Sequence, residues 1–358
     1  MELISICYKQ GAGQMNNNQS RLFGYIFGNK LTSLLFRALT IILFIILAAA
    51  FTVSITYSMI VEENFHRRTG NGAKKEYSKN FLVVMYQTSD DFLKKFREGI
   101  YKKAEEKHIR IDFVNAESIN EAINKINTAV AAKVDGIIAQ GIYDSEYIQA
   151  IKKAIENGIT VEFVYTDAWG IDRAYFVGYN AYDYGKMASR SAIKQLNDMR
   201  GDIALMVQSA TYNEKDVTGG LFIEGFKSIV DKYPMVNLVE ILRTSYDMFS
   251  AEDITYDILN RYPDIDVIVC TSERDSFGVA QVVIDLNRVG DIKIIGAGVS
   301  EEIIKYIELE VIASSFDMKP ELMSQLCIEN LAGDRVSGDY FETPIEAVTR
   351  SNVHRYKK

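Results

Sequence analysis

The chain has 358 residues, 48% apolar and 25% charged, the composition of an ordinary folded protein with room for one to three domains. Its net charge of -8 is unevenly spread: residues 1–37 carry +3, residues 62–79 carry +2, and the rest of the chain carries -13. That acidic bulk excludes nucleic acid as a partner, because phosphates need clustered Lys and Arg, and runs such as Lys102-Lys103 and Lys152-Lys153 read as solvated helix faces.

Residues 1–37 are rich in Asn, Gln and Gly around GAGQMNNNQS and show no apolar period, so they read as a short disordered cytoplasmic head in which Met15 is a second candidate start. From Ala38 to Val61 runs an uncharged stretch of 24 residues, ALTIILFIILAAAFTVSITYSMIV. At about 1.5 Å per residue it reaches roughly 36 Å, enough for a transmembrane helix across a hydrocarbon core of about 30 Å. Lys9, Arg21, Lys30 and Arg37 precede it against one acid, Glu2, which keeps the head inside and sends the C-terminal bulk outward. The rival reading is a cleaved signal peptide with its site at Ala48, Ala49 and Ala50; the apolar run continues through Ile55 and Ile60, which favours a single-pass anchor at the cell membrane. A lipid anchor is disfavoured, since Cys7 precedes the run. Residues 62–79, EENFHRRTGNGAKKEYSK, mix charges with two glycines and read as a linker.

From Asn80 onward short apolar runs alternate with helical patterns. FLVVMY reads as a buried strand, and Asp91 to Lys107 places Phe92, Phe96, Ile100 and Ala104 four apart on one helix face. IRIDFV, the helix ESINEAINKINTAVAAK, VDGIIAQ, the helix SEYIQAIKKAIENG and ITVEFVY follow. A second series runs through DIALMV, a helix ending near Val230, LVEILR, the helix Ala251 to Arg261, DVIVC, a helix through Leu286, and IKIIGA. Strands separated by helices imply right-handed crossovers, and two such series predict an α/β fold of two doubly wound lobes with parallel sheets and a cleft between them.

Little of this points to catalysis. No Ser-His-Asp pattern or G-x-S-x-G occurs, and the GAG triplets at Gly11 and Gly296 lack the G-x-G-x-x-G fingerprint. His66, His108 and His354 form no cluster, so neither a metal nor a cofactor is expected. Cys270 and Cys327 read as buried small hydrophobes, with a bridge between them as the alternative.

The order and spacing of the motifs resemble the type I periplasmic sugar-binding proteins of the ribose, galactose and xylose group, over roughly Asn80 to Val353. The features are Asp90-Asp91-Phe92 and Gly99 after the first strand; VDGIIAQ; Asn157-Gly158-Ile159; VGYNAYDYG; Gly225-Phe226; YPDIDVIV; SFGVAQV; IKIIGAG; and Pro320. The resemblance implies a hinged bilobed domain over 80–354, with lobe 1 about 80–181 plus 319–340 and lobe 2 about 182–318 plus the C-terminal end. It also implies a sugar held between rings and polar side chains, with no enzymatic activity.

Carried over residue by residue, Asp90 and Phe92 match the first-lobe carboxylate and stacking ring, and Tyr246 stands near the second-lobe ring. Asp90 has the alternative of capping a helix. Several ligand positions depart from the pattern: Phe222 stands for an Arg, Ser272 for an Asn, Gly298 for an Asp, Met318 for an Asn or Gln, and Tyr165 for an Asn or Asp. Each unmatched buried polar partner costs a sugar site roughly 1 to 3 kcal/mol. Asp167, Trp169, Asn180, Tyr212 and Glu273 are the candidates that rebuild the site, the alternative being a degenerate cleft. For Trp169 the other reading is a ring packing its loop, and for Glu273 an ordinary surface pair with Arg274.

The expectation is a membrane-anchored extracellular solute-binding protein for a sugar-like molecule. Its partner is then the permease of an ABC-type importer or, as the alternative, a sensor kinase of a two-component system that it serves as a ligand-sensing accessory.

Overall fold

The structure, a computed structural model, describes residues 37–43, 77–168, 170–196, 199–208, 216–244, 251–334 and 338–357. The chain divides into two compact units, Met1–Lys75 and Glu76–Lys358. In the first, residues 37–43 form an exposed helical stretch. No helix among the described residues is long and apolar enough to cross a membrane, and the expected transmembrane run lies outside them beyond residue 43.

The second unit holds twelve strands and nine long helices among its described residues. Its first half runs β1 (Lys79–Tyr86), α1 (Asp90–Glu106), β2 (Ile109–Ala116), α2 (Ile119–Ala132), β3 (Gly136–Ala139), α3 (Ser145–Glu156), β4 (Thr160–Tyr165) and β5 (Tyr175–Gly178). Then come α4 (Ala181–Gln195), β6 (Gly201–Gln208), α5 (Val217–Val230), β7 (Val236–Thr244), α6 (Ala251–Arg261), β8 (Val267–Cys270), α7 (Glu273–Asp285), β9 (Lys293–Ile295), α8 (Glu301–Glu308) and β10 (Ser314–Asp317). The chain closes with α9 (Pro320–Ala332), β11 (Tyr340–Glu342), β12 (Glu346–Thr349) and a 3-10 turn at Val353–Tyr356.

One six-stranded sheet has the order β11-β5-β4-β3-β1-β2 and the other β12-β10-β9-β8-β6-β7. Every pair is parallel except β10 with β12, so the expected two doubly wound lobes form. The chain passes between the sheets three times, after β5, β10 and β11. The short strands β5, β11 and β12 were not evident as strands in the sequence, because runs of three or four residues carry too little periodicity.

Continuous apolar runs are explained by burial on both faces. On β1, Phe81, Val83 and Met85 enter one core cluster while Leu82, Val84 and Tyr86 enter another. Likewise β6 sends Ile203, Leu205 and Val207 to one side and Ala204 and Met206 to the other. Cys270 and Cys327 are buried and unbridged, on β8 and α9. Helices α4 and α5 cross at backbone contact: a Cβ on Gly185 would strike Phe222 O and Phe226 N, and one on Gly225 would strike Tyr182 O. This close approach sets the depth at which Phe222 stands.

Candidate functional site

The strand-to-helix turns place polar caps where the two sheets' carboxyl ends meet. Ser89 Oγ accepts from Phe92 N at 3.4 Å at the start of α1, Ser272 Oγ from Asp275 N at 3.0 Å at α7, and Ser300 Oγ from Ile303 N at 3.4 Å at α8. Between them lies a cavity lined from the first lobe by the turns after β1, β3 and β4, and from the second by the ends of β6, β8, β9 and β10 and the first turn of α5. That is the carboxyl-end crevice expected of open α/β sheets.

Its apolar wall is a chain of rings running from one lobe to the other. Phe92 lies 4.6 Å from Tyr165, Tyr165 5.6 Å from Tyr179, and Tyr179 5.8 Å from Tyr184. Tyr184 in turn lies 4.8 Å from Phe222 and 5.2 Å from Phe316. Burial pushes the Tyr179 and Tyr184 phenols well above their ordinary value, so both stay neutral hydroxyls. Three non-glycine residues at the cavity's edge hold left-handed backbone: Gln87 (φ 47°), Tyr165 (φ 69°) and Lys319 (φ 57°). Such conformations cost on the order of 1 to 3 kcal/mol and persist only where surrounding contacts fix them. Around Gln87 those contacts come from Gln140, whose Oε1 accepts from Tyr86 N and, at 3.2 Å, from Thr88 Oγ1.

Of the residues expected to meet a ligand, Phe92, Asp167 and Glu273 line the cavity. Asp167 is clamped by Arg173, which donates from Nε at 2.8 Å and from Nη2 at 2.6 Å. Glu273 stands near the hydroxyls of Ser300 and Ser89, one from each lobe, and both favour its charged form. Burial, with Asp91 adding repulsion, raises its carboxyl above the ordinary range, while Ser300, Ser89 and Lys95 act the other way.

Asp90, expected to face the ligand, is instead exposed on the first turn of α1, and its neighbour Asp91 lines the cavity. The helix starts immediately after the Ser89 cap, and the roughly 100° turn per residue separates the two carboxylates. Asn180 does not line the cavity: its Oδ1 caps α4 by accepting from Asp183 N at 3.1 Å. Trp169, Tyr212 and Tyr246 lie outside the described residues.

The five positions at which the chain departs from the sugar-binding pattern, Tyr165, Phe222, Ser272, Gly298 and Met318, all line the cavity. Polar lining residues that were not singled out include Gln87, Gln140, Gln208, Asp216 and Thr218. Gln140 and Gln208 directly follow or end a strand, a position that could have marked them. Among the described residues no group of three His, Cys, Asp or Glu side chains could hold a metal ion.

Comparison with known proteins agrees with this geometry. A family model described as periplasmic binding protein domain matches residues 81–333, more than half of the chain. A D-apiose import binding protein of Paraburkholderia graminis is 22% identical over 195 residues, covering 54% of this chain and 60% of the relative's length. Among solved structures, GanP, a glucose-galactose binding protein from Geobacillus stearothermophilus, is similar with a TM-score of 0.70 at 24% identity, over 77% of this chain and 99% of that one. A chain in the XylFII-LytSN complex is similar with a TM-score of 0.67 at 22% identity, over 77% and 99%. At these identities the structural likenesses establish the fold.

Proposed function

The chain belongs to the type I periplasmic sugar-binding family, and from that premise we propose that it is a membrane-anchored, extracellular, non-enzymatic solute-binding protein for a sugar or sugar-like molecule, acting as the substrate-binding component of an ABC-type importer. The observation that carries this reading is the ring-walled cavity between the two sheets, with amides, hydroxyls and carboxylates interspersed among the rings. Sugars present apolar C–H faces to rings and hydroxyls to polar groups, so such a wall suits a polyol. The relatives named as sugar-binding or import proteins support it. Lobe 1 is taken as about 80–181 plus 319–340 and lobe 2 as about 182–318 plus the C-terminal end, with closure about the three crossings between them. Asp91, Phe92, Asp167 and Glu273 are the proposed ligand contacts.

Tethering follows from the uncharged run Ala38 to Val61, which is long enough to span a bilayer. Extraction by alkaline carbonate should leave the full chain in the membrane pellet; release into the supernatant would refute the anchor. A second reading, a ligand-sensing accessory of a membrane receptor such as a histidine kinase, is favoured by one observation: XylFII, a relative of this fold, is seen in complex with another protein, LytSN.

Thermal melting of the full chain against pentoses, hexoses and polyols tests the binding reading. A ligand at a hundred times its dissociation constant should add about 2.7 kcal/mol of stability. A raised midpoint with one sugar supports solute capture. An unchanged midpoint across the panel, from a chain that melts cooperatively, would favour the accessory role with an empty cleft.

A further inference from the structure

The charges that line the cleft have one sign. Among the described lining residues the charged ones are Asp91, Asp167, Asp216, Glu273 and Asp317. Four of these have a cation behind them that does not itself line the cavity: Lys95 at 2.5 Å from Asp91, Arg173 at 2.6 Å from Asp167, Arg243 at 3.6 Å from Asp216 and Lys319 at 2.9 Å from Asp317. The fifth differs. Glu273 forms no ion pair with a described residue; the neutral hydroxyls of Ser89 and Ser300 lie near it, and the Lys95 ammonium, paired with Asp91, acts on it only through its charge.

The fold makes room for that carboxyl. Gly298, at φ +83°, ends the turn after β9, and a Cβ there would collide with Glu273 Oε2. The acid therefore occupies the space over the end of β9 that a side chain at position 298 would fill, at the meeting line of the two lobes. A buried carboxylate needs a proton or a counter-cation. Rings line the wall alongside, and an aromatic face attracts a cation and not an anion.

Resting on the solute-binding reading, we propose that the cleft takes an amine-bearing sugar or polyol, whose ammonium pairs with Glu273 beside Asp91, and that it rejects sugar acids and sugar phosphates. Glu273 is then the residue that sets selectivity by charge. The four compensated aspartates are left to accept hydrogen bonds from hydroxyls.

The test is calorimetric titration of the full chain in detergent micelles with matched triplets: glucose, glucosamine and glucuronate, and the corresponding galactose and mannose sets. In the series that binds, the amine should bind at least about tenfold more tightly than its neutral parent, and the acid should give no heat. Glu273→Gln should bring the amine-to-neutral ratio to about one, with circular dichroism melting showing that the variant folds. A neutral parent or an acid that binds as tightly as the amine overturns this inference and leaves solute binding standing. Silence from every member of every triplet overturns both.

Discussion

Glu162 offers a sharp test of how the first lobe is held together. It lies on β4 at 0% exposure and faces Asn330 on α9, at 1%, the helix that the chain enters on returning to this lobe. Asn330 Nδ2 donates to Glu162 Oε1 at 2.7 Å, while Glu162 Oε2 and Asn330 Oδ1 have no partner. A proton on the carboxyl supplies the donor that these two acceptors lack. Burial pushes the carboxyl well above its ordinary range, with Asn330 and the charge of Arg173 pulling the other way. A carboxyl raised in the folded state stabilises fully below its unfolded value of about 4.3, and that stability is lost as pH rises toward the folded value, by about 1.4 kcal/mol per pH unit. Glu162→Gln keeps the shape, offers Asn330 both a donor and an acceptor, and does not titrate. Its advantage over the parent should therefore grow as pH rises above about 5 toward the folded value, by at most about 1.4 kcal/mol per pH unit, seen as a widening gap in melting midpoint. Glu162→Ala should instead melt lower at every pH, by about 2 to 4 kcal/mol, from the cavity and the unpaired amide. The assay is circular dichroism melting of the three proteins from pH 5 to 8. A Gln-to-parent difference that stays flat with pH would refute a protonated buried acid.

Gly185→Ala should destabilise the second lobe by about 1 to 3 kcal/mol or more, because the added methyl meets α5 backbone that cannot rotate away; a chemical denaturation midpoint equal to the parent's would contradict the helix crossing described. Burial raises the Cys270 and Cys327 thiols well above their ordinary value. Both should stay unmodified by iodoacetamide at pH 8 in the native protein and react once it is unfolded, as read by peptide mass mapping. Labelling of either one in the folded protein would count against the cores as described.

The alternation of FLVVMY, VDGIIAQ, DIALMV and DVIVC with amphipathic helices made the two lobes legible, because strands buried on both faces have to be apolar throughout. The short strands β5, β11 and β12 escaped, being three or four residues long. The site was partly legible. Phe92, Asp167 and Glu273 follow strands and line the cavity, and so do the departures at Tyr165, Phe222, Ser272, Gly298 and Met318. What spacing could not resolve was rotation about a helix, which separates Asp91 from Asp90, or whether a polar side chain serves as a cap, as Asn180 does. Nor could it show that the carboxyl of Glu273 fills the space over Gly298, a contact between residues 25 positions apart that only the folded turn creates.

The measurement closest to the central claim is a calorimetric comparison of the parent chain and Phe92→Ala, using whichever sugar or amino sugar raises the melting midpoint. Phe92 closes one end of the ring wall against Tyr165, so its loss should weaken binding by about tenfold or more while the variant still melts cooperatively. Equal affinity in the two proteins would mean that the ligand sits elsewhere and that the cleft between the sheets is not the binding site.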